Sequence, residues 1–263
     1  MLRGEIIDLL DEFEKRFGRE RNLIELESGR VIFVGDTHGD IDATGRIVDK
    51  YLKAGNRIVF LGDYVDRGPE SAENLNTLLR LKLEHPDDLV MLMGNHEGRK
   101  AFEFQPSDFW DGLDSELRRR YAAVLSRLPL AVSTSNGIIA LHGALPDVET
   151  LEDINKIAFG SPGWQQATWG DWQESEAGYP DKDMFTGRPR FGEGWFNEIM
   201  GRLRKNVLIR SHQPNIRQVI YNRRCLTIFT SSFYRSSVPG RTVAIADLGK
   251  EIKTADDLVI ETI

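Results

Sequence analysis

The sequence predicts a mixed α/β protein in which two packed, mixed β-sheets are flanked by helices. Two observations lead to this fold class. In the first half, three short apolar runs rich in β-branched residues alternate with helical segments, which is the pattern of parallel βαβ units. Beyond residue 130, apolar runs follow one another with few helical segments between them, so this half is expected to be largely antiparallel.

An amphipathic helix is predicted at residues 1–17, where apolar residues recur at helical spacing among charged ones. Two further helices are expected near residues 41–54 and 71–84. The apolar runs that should form the buried strands of the first half are residues 31–34, 58–61 and 89–93. The strands of the second half are expected near residues 137–142, 206–211, 217–221, 225–230, 242–247 and 258–262.

The stretch 158–195 is rich in Gly, Pro and Trp and has weak periodicity. A loop of that length inside a compact domain is usually functional. No linker-like composition separates the two halves of the chain, so one domain is expected over residues 1–263.

Composition narrows the class of protein. The apolar fraction of 40% and the charged fraction of 29% are those of an ordinary globular protein. The net charge of −7 argues against a nucleic-acid partner, since such proteins usually present a basic face. Cys225 is the only cysteine, which excludes an internal disulfide and fits a reducing cytoplasm. No stretch approaches the roughly 18 apolar residues of a membrane span, so a cytoplasmic location without a membrane partner is expected.

Polar side chains follow directly after the predicted strands. The loops at residues 35–39, 62–68 and 94–97 read Gly-Asp-Thr-His-Gly, Gly-Asp-Tyr-Val-Asp-Arg-Gly and Gly-Asn-His-Glu. His142 and His212 follow two later apolar runs, so four of the five histidines lie at strand ends. Only His85, before Pro86 at a predicted helix end, is left without a role. Open α/β sheets bind ligands at the carboxyl ends of their strands, which makes this edge the candidate site.

The residue types indicate a metal site. Mixed imidazole, carboxylate and amide ligands suit manganese, iron or zinc better than calcium or magnesium. Six or seven candidate ligands are more than one catalytic ion takes from a protein, whereas two ions would use them all.

This ordered set of motifs, ending in His-Gly and Arg-x-His, resembles the metal-dependent phosphoprotein phosphatases, the calcineurin-like Ser/Thr phosphatases of the metallophosphoesterase superfamily. The resemblance runs from about residue 24 to residue 248 and leaves the helix at 1–17 outside it. It implies the calcineurin-like metallophosphoesterase fold and hydrolysis of phosphoserine or phosphothreonine in a phosphoprotein or phosphopeptide substrate.

The resemblance also implies a ligand set for two divalent metal ions, with manganese expected and iron or zinc as alternatives. The ligands of one ion would be Asp36, His38 and Asp63, and those of the other Asp63, Asn95, His142 and His212. A shared carboxylate such as that of Asp63 can hold two cations about 3.5–4 Å apart, and a water bound to both is acidified enough to act as hydroxide near neutral pH. The resemblance therefore implies a metal-bound hydroxide as the nucleophile.

The same resemblance implies catalytic side chains beside the metals. His96 matches the proton donor to the leaving serine or threonine oxygen, and Asp66 would orient it and favour its charged form. Arg67 matches the first phosphate clamp, and the metal ligand Asn95 would also face the phosphate.

Three further positions are candidates for the substrate side of the site. The second arginine clamp falls in a segment that departs from the family pattern, leaving Arg188 or Arg190, with Arg188 preferred. Arg210, beside His212, is either a phosphate contact or an ordinary paired arginine. Tyr234 ends a run that resembles the substrate-groove loop of the family.

Two other functions are compatible with parts of this motif set. A bis(5'-nucleosyl)-tetraphosphatase or another small-molecule metallophosphoesterase would share the metal ligands, but the tetraphosphatases usually carry Asp where this chain has Glu97. A non-enzymatic binding scaffold of the same fold is disfavoured because the ligand set and His96 are intact.

Overall fold

The computed structural model describes residues 1–174, 180–234 and 240–263, and strands alternate with helices between residues 30 and 91. The strands are β1 (Leu23–Leu26), β2 (Arg30–Val34), β3 (Asn56–Phe60), β4 (Leu89–Met91), β5 (Ala131–Thr134), β6 (Ile138–Leu141), β7 (Asp171–Trp172), β8 (Asp181–Lys182), β9 (Pro189–Phe191), β10 (Val207–Arg210), β11 (Val219–Ile220), β12 (Cys225–Thr227), β13 (Thr242–Asp247) and β14 (Val259–Thr262). The α-helices are α1 (Arg3–Phe17), α2 (Ile41–Tyr51), α3 (Ser71–Glu84), α4 (Asp108–Asp111), α5 (Ser115–Leu125), α6 (Pro162–Trp169) and α7 (Glu193–Leu203).

Two large mixed sheets form the centre of the protein. The six-stranded sheet has the order β1–β5–β6–β10–β12–β11, and the five-stranded sheet has the order β14–β13–β2–β3–β4. A small third sheet, β7–β9–β8, lies in the second half. In the five-stranded sheet β2, β3 and β4 run parallel, and β13 runs antiparallel to both β2 and β14. The predicted mixed α/β class with two flanked sheets is confirmed.

Side chains of β2 alternate between two cores. Val31 and Phe33 lie in an apolar cluster shared with strands of the six-stranded sheet, whereas Ile32 and Val34 lie in the cluster that includes the helices. All four are fully buried, because successive strand residues point to opposite faces and both faces are covered. This double burial explains why the strand is a continuous apolar run.

The N-terminal helix packs onto the body of the protein. Leu9, Leu10 and Phe13 are its buried face, and α1 contacts α3 and α5. The helices predicted at 1–17, 41–54 and 71–84 are therefore present as α1, α2 and α3. Among the residues that the structure describes, no helix is long and apolar enough to cross a membrane.

The second half differs from the prediction in two respects. It is mixed rather than largely antiparallel, since β10 runs parallel to both of its neighbours, β6 and β12. The stretch 158–195 is also more regular than predicted. It holds α6, β7, β8, β9 and the start of α7, while residues 175–179 lie outside the described part of the chain. Ser161 caps α6 and Pro162 occupies its first turn, a signal for a helix start that the weak periodicity concealed.

Candidate active site

Both large sheets contribute side chains to one site. In each sheet these side chains follow the carboxyl ends of parallel strands, and the two sets of strand ends meet at the site. The loops after β2, β3 and β4 carry ligand candidates from the five-stranded sheet, and the residues after β6 and β10 carry them from the six-stranded sheet. A backbone bridge between Asp36 and Phe229 joins the two halves beside the site. The structure thus brings together six predicted ligands, namely Asp36, His38, Asp63, Asn95, His142 and His212.

One group of ligand atoms lies around Asp36, His38 and Asp63. His38 Nε2 lies 3.7 Å from Asp36 Oδ2 and 3.5 Å from Asp63 Oδ2. His38 Nδ1 lies 2.7 Å from the carbonyl of Val65, which can only accept, so Nδ1 carries the proton and Nε2 presents a lone pair. Such an orienting carbonyl is typical of a metal-binding histidine.

A second group shares Asp63 with the first. His142 Nε2 lies 3.4 Å from Asp63 Oδ2 and 3.0 Å from Asn95 Oδ1, and His212 Nδ1 lies 2.7 Å from the same Asn95 oxygen. His142 Nδ1 is 3.0 Å from the carbonyl of Leu61 and must donate to it, so Nε2 is the ring nitrogen that faces the Asn95 oxygen. In the neutral form of His142, Nε2 would offer its lone pair to a cation.

Two further observations indicate that these residues fit a pair of divalent cations. Asp36 Oδ2 and His38 Nε2 are buried and have no hydrogen-bond partner among the described residues. Buried polar atoms are normally paired, so these two atoms indicate a ligand. Burial, and then the negative charge of Asp63, raise the pKa of Asp36 to about 6, and a cation bound beside Asp36 would favour its charged form.

Several residues of the site adopt the left-handed backbone region, which non-glycine residues rarely occupy. Their φ angles are 43° for His38, 55° for Asp63, 66° for Asp66, 70° for Arg67 and 70° for His212. Such conformations cost free energy and persist where the surrounding structure fixes them, commonly at functional sites. The tight turns at the strand ends therefore aim these side chains into the site.

Glu97 is a residue of the site for which the sequence predicted no structural role. Its Oε2 accepts from the backbone N–H groups of Asp63 at 2.8 Å and Gly94 at 2.9 Å, and its Oε1 accepts from that of Tyr64 at 2.9 Å. This fully buried carboxylate fixes the turn that carries Asp63. Gly94 is required there, since a Cβ on it would lie 2.3 Å from Asp63 Oδ1.

His96 and Asp66 form a buried pair beside the ligand atoms. His96 Nδ1 lies 2.7 Å from Asp66 Oδ2, and the other Asp66 oxygen accepts from Phe109 N–H at 2.9 Å. The His96 backbone N–H donates to Asp63 Oδ1 at 2.9 Å, which ties the pair to the shared ligand. With Nδ1 held by the carboxylate, Nε2 is the atom free to exchange a proton with a bound substrate.

Arg67 and Tyr234 meet at the edge of the site. The Arg67 guanidinium donates from Nη1 to the Tyr234 hydroxyl and has Nη2 3.4 Å from His96 Nε2. The Tyr234 ring lies 5.6 Å from the ring of His38, between ring centroids. The structure thus brings both predicted phosphate contacts to the metal-ligand cluster.

The two candidates for the second clamp differ in their surroundings. Arg188 Nη1 lies 3.8 Å from Asp171, whose other oxygen lies 3.4 Å from His212 Nε2, and the Arg188 guanidinium lies 5.2 Å from the centre of the Trp169 ring. Arg190 instead binds Asp181 through two nitrogens, at 2.9 and 2.8 Å, on the small sheet. Arg188 is therefore beside the ligand cluster, while the guanidinium of Arg190 is committed to carboxylates.

The surroundings of Arg210 differ from those expected of a residue that contacts phosphate. Its side chain is fully buried and donates to Gln213 at 2.9 Å. Its Nη2 lies 3.4 Å from the carbonyl of Gly170. Burial lowers the pKa of its guanidinium. These contacts argue against a direct phosphate contact and in favour of support for the segment that carries Asp171.

A family model and several known proteins are similar in sequence to this chain. The model of the family described as calcineurin-like phosphoesterase matches residues 29–217. Serine/threonine-protein phosphatase BSL2 of Arabidopsis thaliana is 27% identical over 280 residues, which cover 97% of this chain and 27% of the plant protein. Serine/threonine-protein phosphatase T of Trypanosoma brucei brucei is 26% identical over 269 residues, covering 95% of this chain and 56% of that protein. The chain thus spans about a quarter and about half of these relatives.

Solved structures share the fold. A protein serine/threonine phosphatase from Saccharomyces cerevisiae, described as similar to human phosphatase PP5, superposes with a TM-score of 0.82 at 23% identity, covering 99% of this chain and 89% of that chain. A cold-active protein-tyrosine phosphatase of Shewanella gives a TM-score of 0.58 at 15% identity, with 92% and 82% covered. At these identities the likeness shows a common architecture.

Proposed function

The chain belongs to the calcineurin-like phosphoesterase family, and we propose that it is a metal-dependent serine/threonine protein phosphatase. Its substrates would be phosphoproteins or phosphopeptides carrying phosphoserine or phosphothreonine. The curated relatives are named for this activity, and they match nearly the whole of this chain.

One observation carries the proposal. Asp63 Oδ2 faces both groups of ligand atoms. Asp63 Oδ1 accepts the backbone N–H of His96, the residue that would donate the proton. Two divalent cations bound there, most simply manganese, would supply an acidified water and offset negative charge on the phosphoryl oxygens. The ligand residues would be Asp36, His38 and Asp63 for one cation and Asp63, Asn95, His142 and His212 for the other.

The side chains around that centre then have distinct tasks. Arg67 and Arg188 would bind the phosphoryl oxygens, for which a guanidinium offers paired donors. The oxygen of water bonds to phosphorus as the bond to the serine or threonine oxygen breaks. His96 gives its Nε2 proton to that leaving oxygen and regains one from solvent, so the products are inorganic phosphate and a free hydroxyl. Asp66 holds the imidazole in place by accepting from its Nδ1.

A substrate panel tests the proposal. Phosphoserine, phosphothreonine and phosphotyrosine peptides are compared with a dinucleoside tetraphosphate, each with Mn²⁺ present and phosphate release measured. Hydrolysis of the first two peptides at the highest kcat/KM supports a Ser/Thr phosphatase. Preference for the dinucleotide would favour the tetraphosphatase alternative, and binding of phosphopeptide without turnover would favour the scaffold.

A further inference from the structure

Arg241 forms a two-point ion pair with Asp40 at the rim of the site. Arg241 Nε lies 2.9 Å from Asp40 Oδ2, and Nη2 lies 2.8 Å from Asp40 Oδ1. The two side chains are 12% and 6% exposed, so solvent screens the pair poorly. The remaining terminal nitrogen contacts Asp42. Such a fork-to-carboxylate contact fixes geometry as well as charge.

Asp40 links two elements through that pair. Its Oδ1 accepts from the backbone N–H of Ala43 at 3.1 Å, which caps α2. Its Oδ2 accepts from the backbone N–H of Ser232 at 2.6 Å. The short 3₁₀ turn Ser232–Tyr234 is thereby anchored to the start of α2 at its first residue.

The last residue of that turn reaches the phosphate clamp. The Tyr234 hydroxyl accepts from Arg67, and the Arg67 guanidinium lies 5.5 Å from the centre of the Tyr234 ring. The Tyr234 ring also packs against the ring of Phe229, with the two centroids 5.0 Å apart. Arg67 Nε is buried without a hydrogen-bond partner among the described residues, so the bond to the Tyr234 hydroxyl is an important restraint on this guanidinium.

We propose that Arg241 is a positioning residue for phosphate binding. By holding Asp40 it fixes the Ser232–Tyr234 turn, and through the Tyr234 hydroxyl it fixes the guanidinium of Arg67. Arg241 does not itself contact the substrate, because its guanidinium is engaged by Asp40 and Asp42. The inference rests on the proposed function in one respect only: a phosphoester must bind beside Arg67, whatever molecule carries it.

A double-mutant cycle tests the inference with p-nitrophenyl phosphate as substrate and inorganic phosphate as inhibitor, both with Mn²⁺ present. Arg241→Ala should raise the inhibition constant of phosphate and lower kcat/KM by about tenfold, within the range of couplings inside one hydrogen-bond network. In a Tyr234→Phe background, the same change should add less than about twofold, because the route to Arg67 is already broken. Arg241→Lys keeps the charge but loses the fork, so it should show a smaller effect and serves if the alanine variant folds poorly.

The control is Arg46→Ala, which removes an exposed arginine that pairs with Asp42 on α2 and should leave both constants unchanged. Equal losses from Arg241→Ala in both backgrounds would overturn the inference, since Arg241 would then act on stability or through another route. A Tyr234→Phe variant with unchanged phosphate inhibition would also overturn it. A wild-type protein that neither hydrolyses the ester nor binds phosphate would overturn the proposed function as well.

Discussion

His96 Nδ1 lies 2.7 Å from Asp66 Oδ2 in a setting where both side chains are almost completely buried. Asp66 is fixed on its other oxygen by Phe109 N–H, so the carboxylate cannot turn away from the imidazole. This arrangement leaves Nε2 as the only ring nitrogen that can serve a substrate. It makes His96 a candidate proton donor whose effect depends on the leaving group.

His96→Asn should reduce hydrolysis of a phosphoserine peptide by about 10²–10⁴-fold, the usual contribution of general acid catalysis. The loss on p-nitrophenyl phosphate should be far smaller, because p-nitrophenolate leaves without a proton. Asp66→Asn should show the same bias more weakly. Steady-state kinetics with both substrates measures the ratio, and metal content serves as the control. Equal losses on the two substrates with metal retained would exclude the proton-donor role.

Asp63→Asn should lower the amount of bound metal and abolish activity, because it removes charge from the oxygen that faces both groups of ligands. Elemental analysis after exhaustive dialysis measures the metal. His85→Ala is the matched control, since this histidine lies at the end of α3 and is no ligand candidate. An Asp63 variant that retains two equivalents of metal and its rate would contradict the bridging assignment.

Arg188→Ala should lower kcat/KM and weaken inhibition by free phosphate by about tenfold to a hundredfold, the value of a charge-assisted hydrogen bond of about 1.5–3 kcal/mol. Arg190→Ala is the comparison, because its guanidinium is bound to Asp181 and Asp183. It should change both constants by less than about twofold. A larger effect at Arg190 than at Arg188 would reverse this assignment.

Glu97→Gln should destabilise the protein by about 1–3 kcal/mol, because an amide N–H₂ would replace one carboxylate oxygen facing backbone N–H donors. It should also lower metal content, since Glu97 fixes the turn that carries Asp63. Urea unfolding measures the stability, and elemental analysis after dialysis measures the metal content. Glu103→Gln, whose carboxyl side chain is 94% exposed, is the control and should be neutral. A Glu97 variant as stable as that control would show that the carboxylate is dispensable.

The positions of the residues that follow the strands could be predicted, because these positions depend on local sequence patterns. The runs that became β2, β3 and β4 are continuous and apolar, and each is followed by glycine and a polar residue. Parallel neighbours place such residues at one edge of a sheet, so their meeting follows from topology. That argument did not extend to the residues after β6 and β10, because the second half was expected to be largely antiparallel, whereas these two strands are parallel neighbours in the other sheet.

Side-chain directions and distant partners could not be predicted in this way. Arg188 and Arg190 lie two positions apart on or beside β9, and only the pairing of that strand with β8 decides which one binds Asp181. Arg210 is an arginine that the fold encloses completely, contrary to the usual exposure of its type. The ion pair of Arg241 with Asp40 joins residues 201 positions apart, which no local pattern encodes.

Metal reconstitution tests whether the protein is a metal-dependent phosphoserine and phosphothreonine phosphatase. Protein stripped of metal is titrated with Mn²⁺ while phosphate release from a phosphoserine peptide is followed. We expect no phosphate release without metal, and a rise in rate that is complete when two ions are bound per chain. Full activity in the stripped protein, or no peptide hydrolysis at any level of Mn²⁺, Fe²⁺ or Zn²⁺, would contradict it.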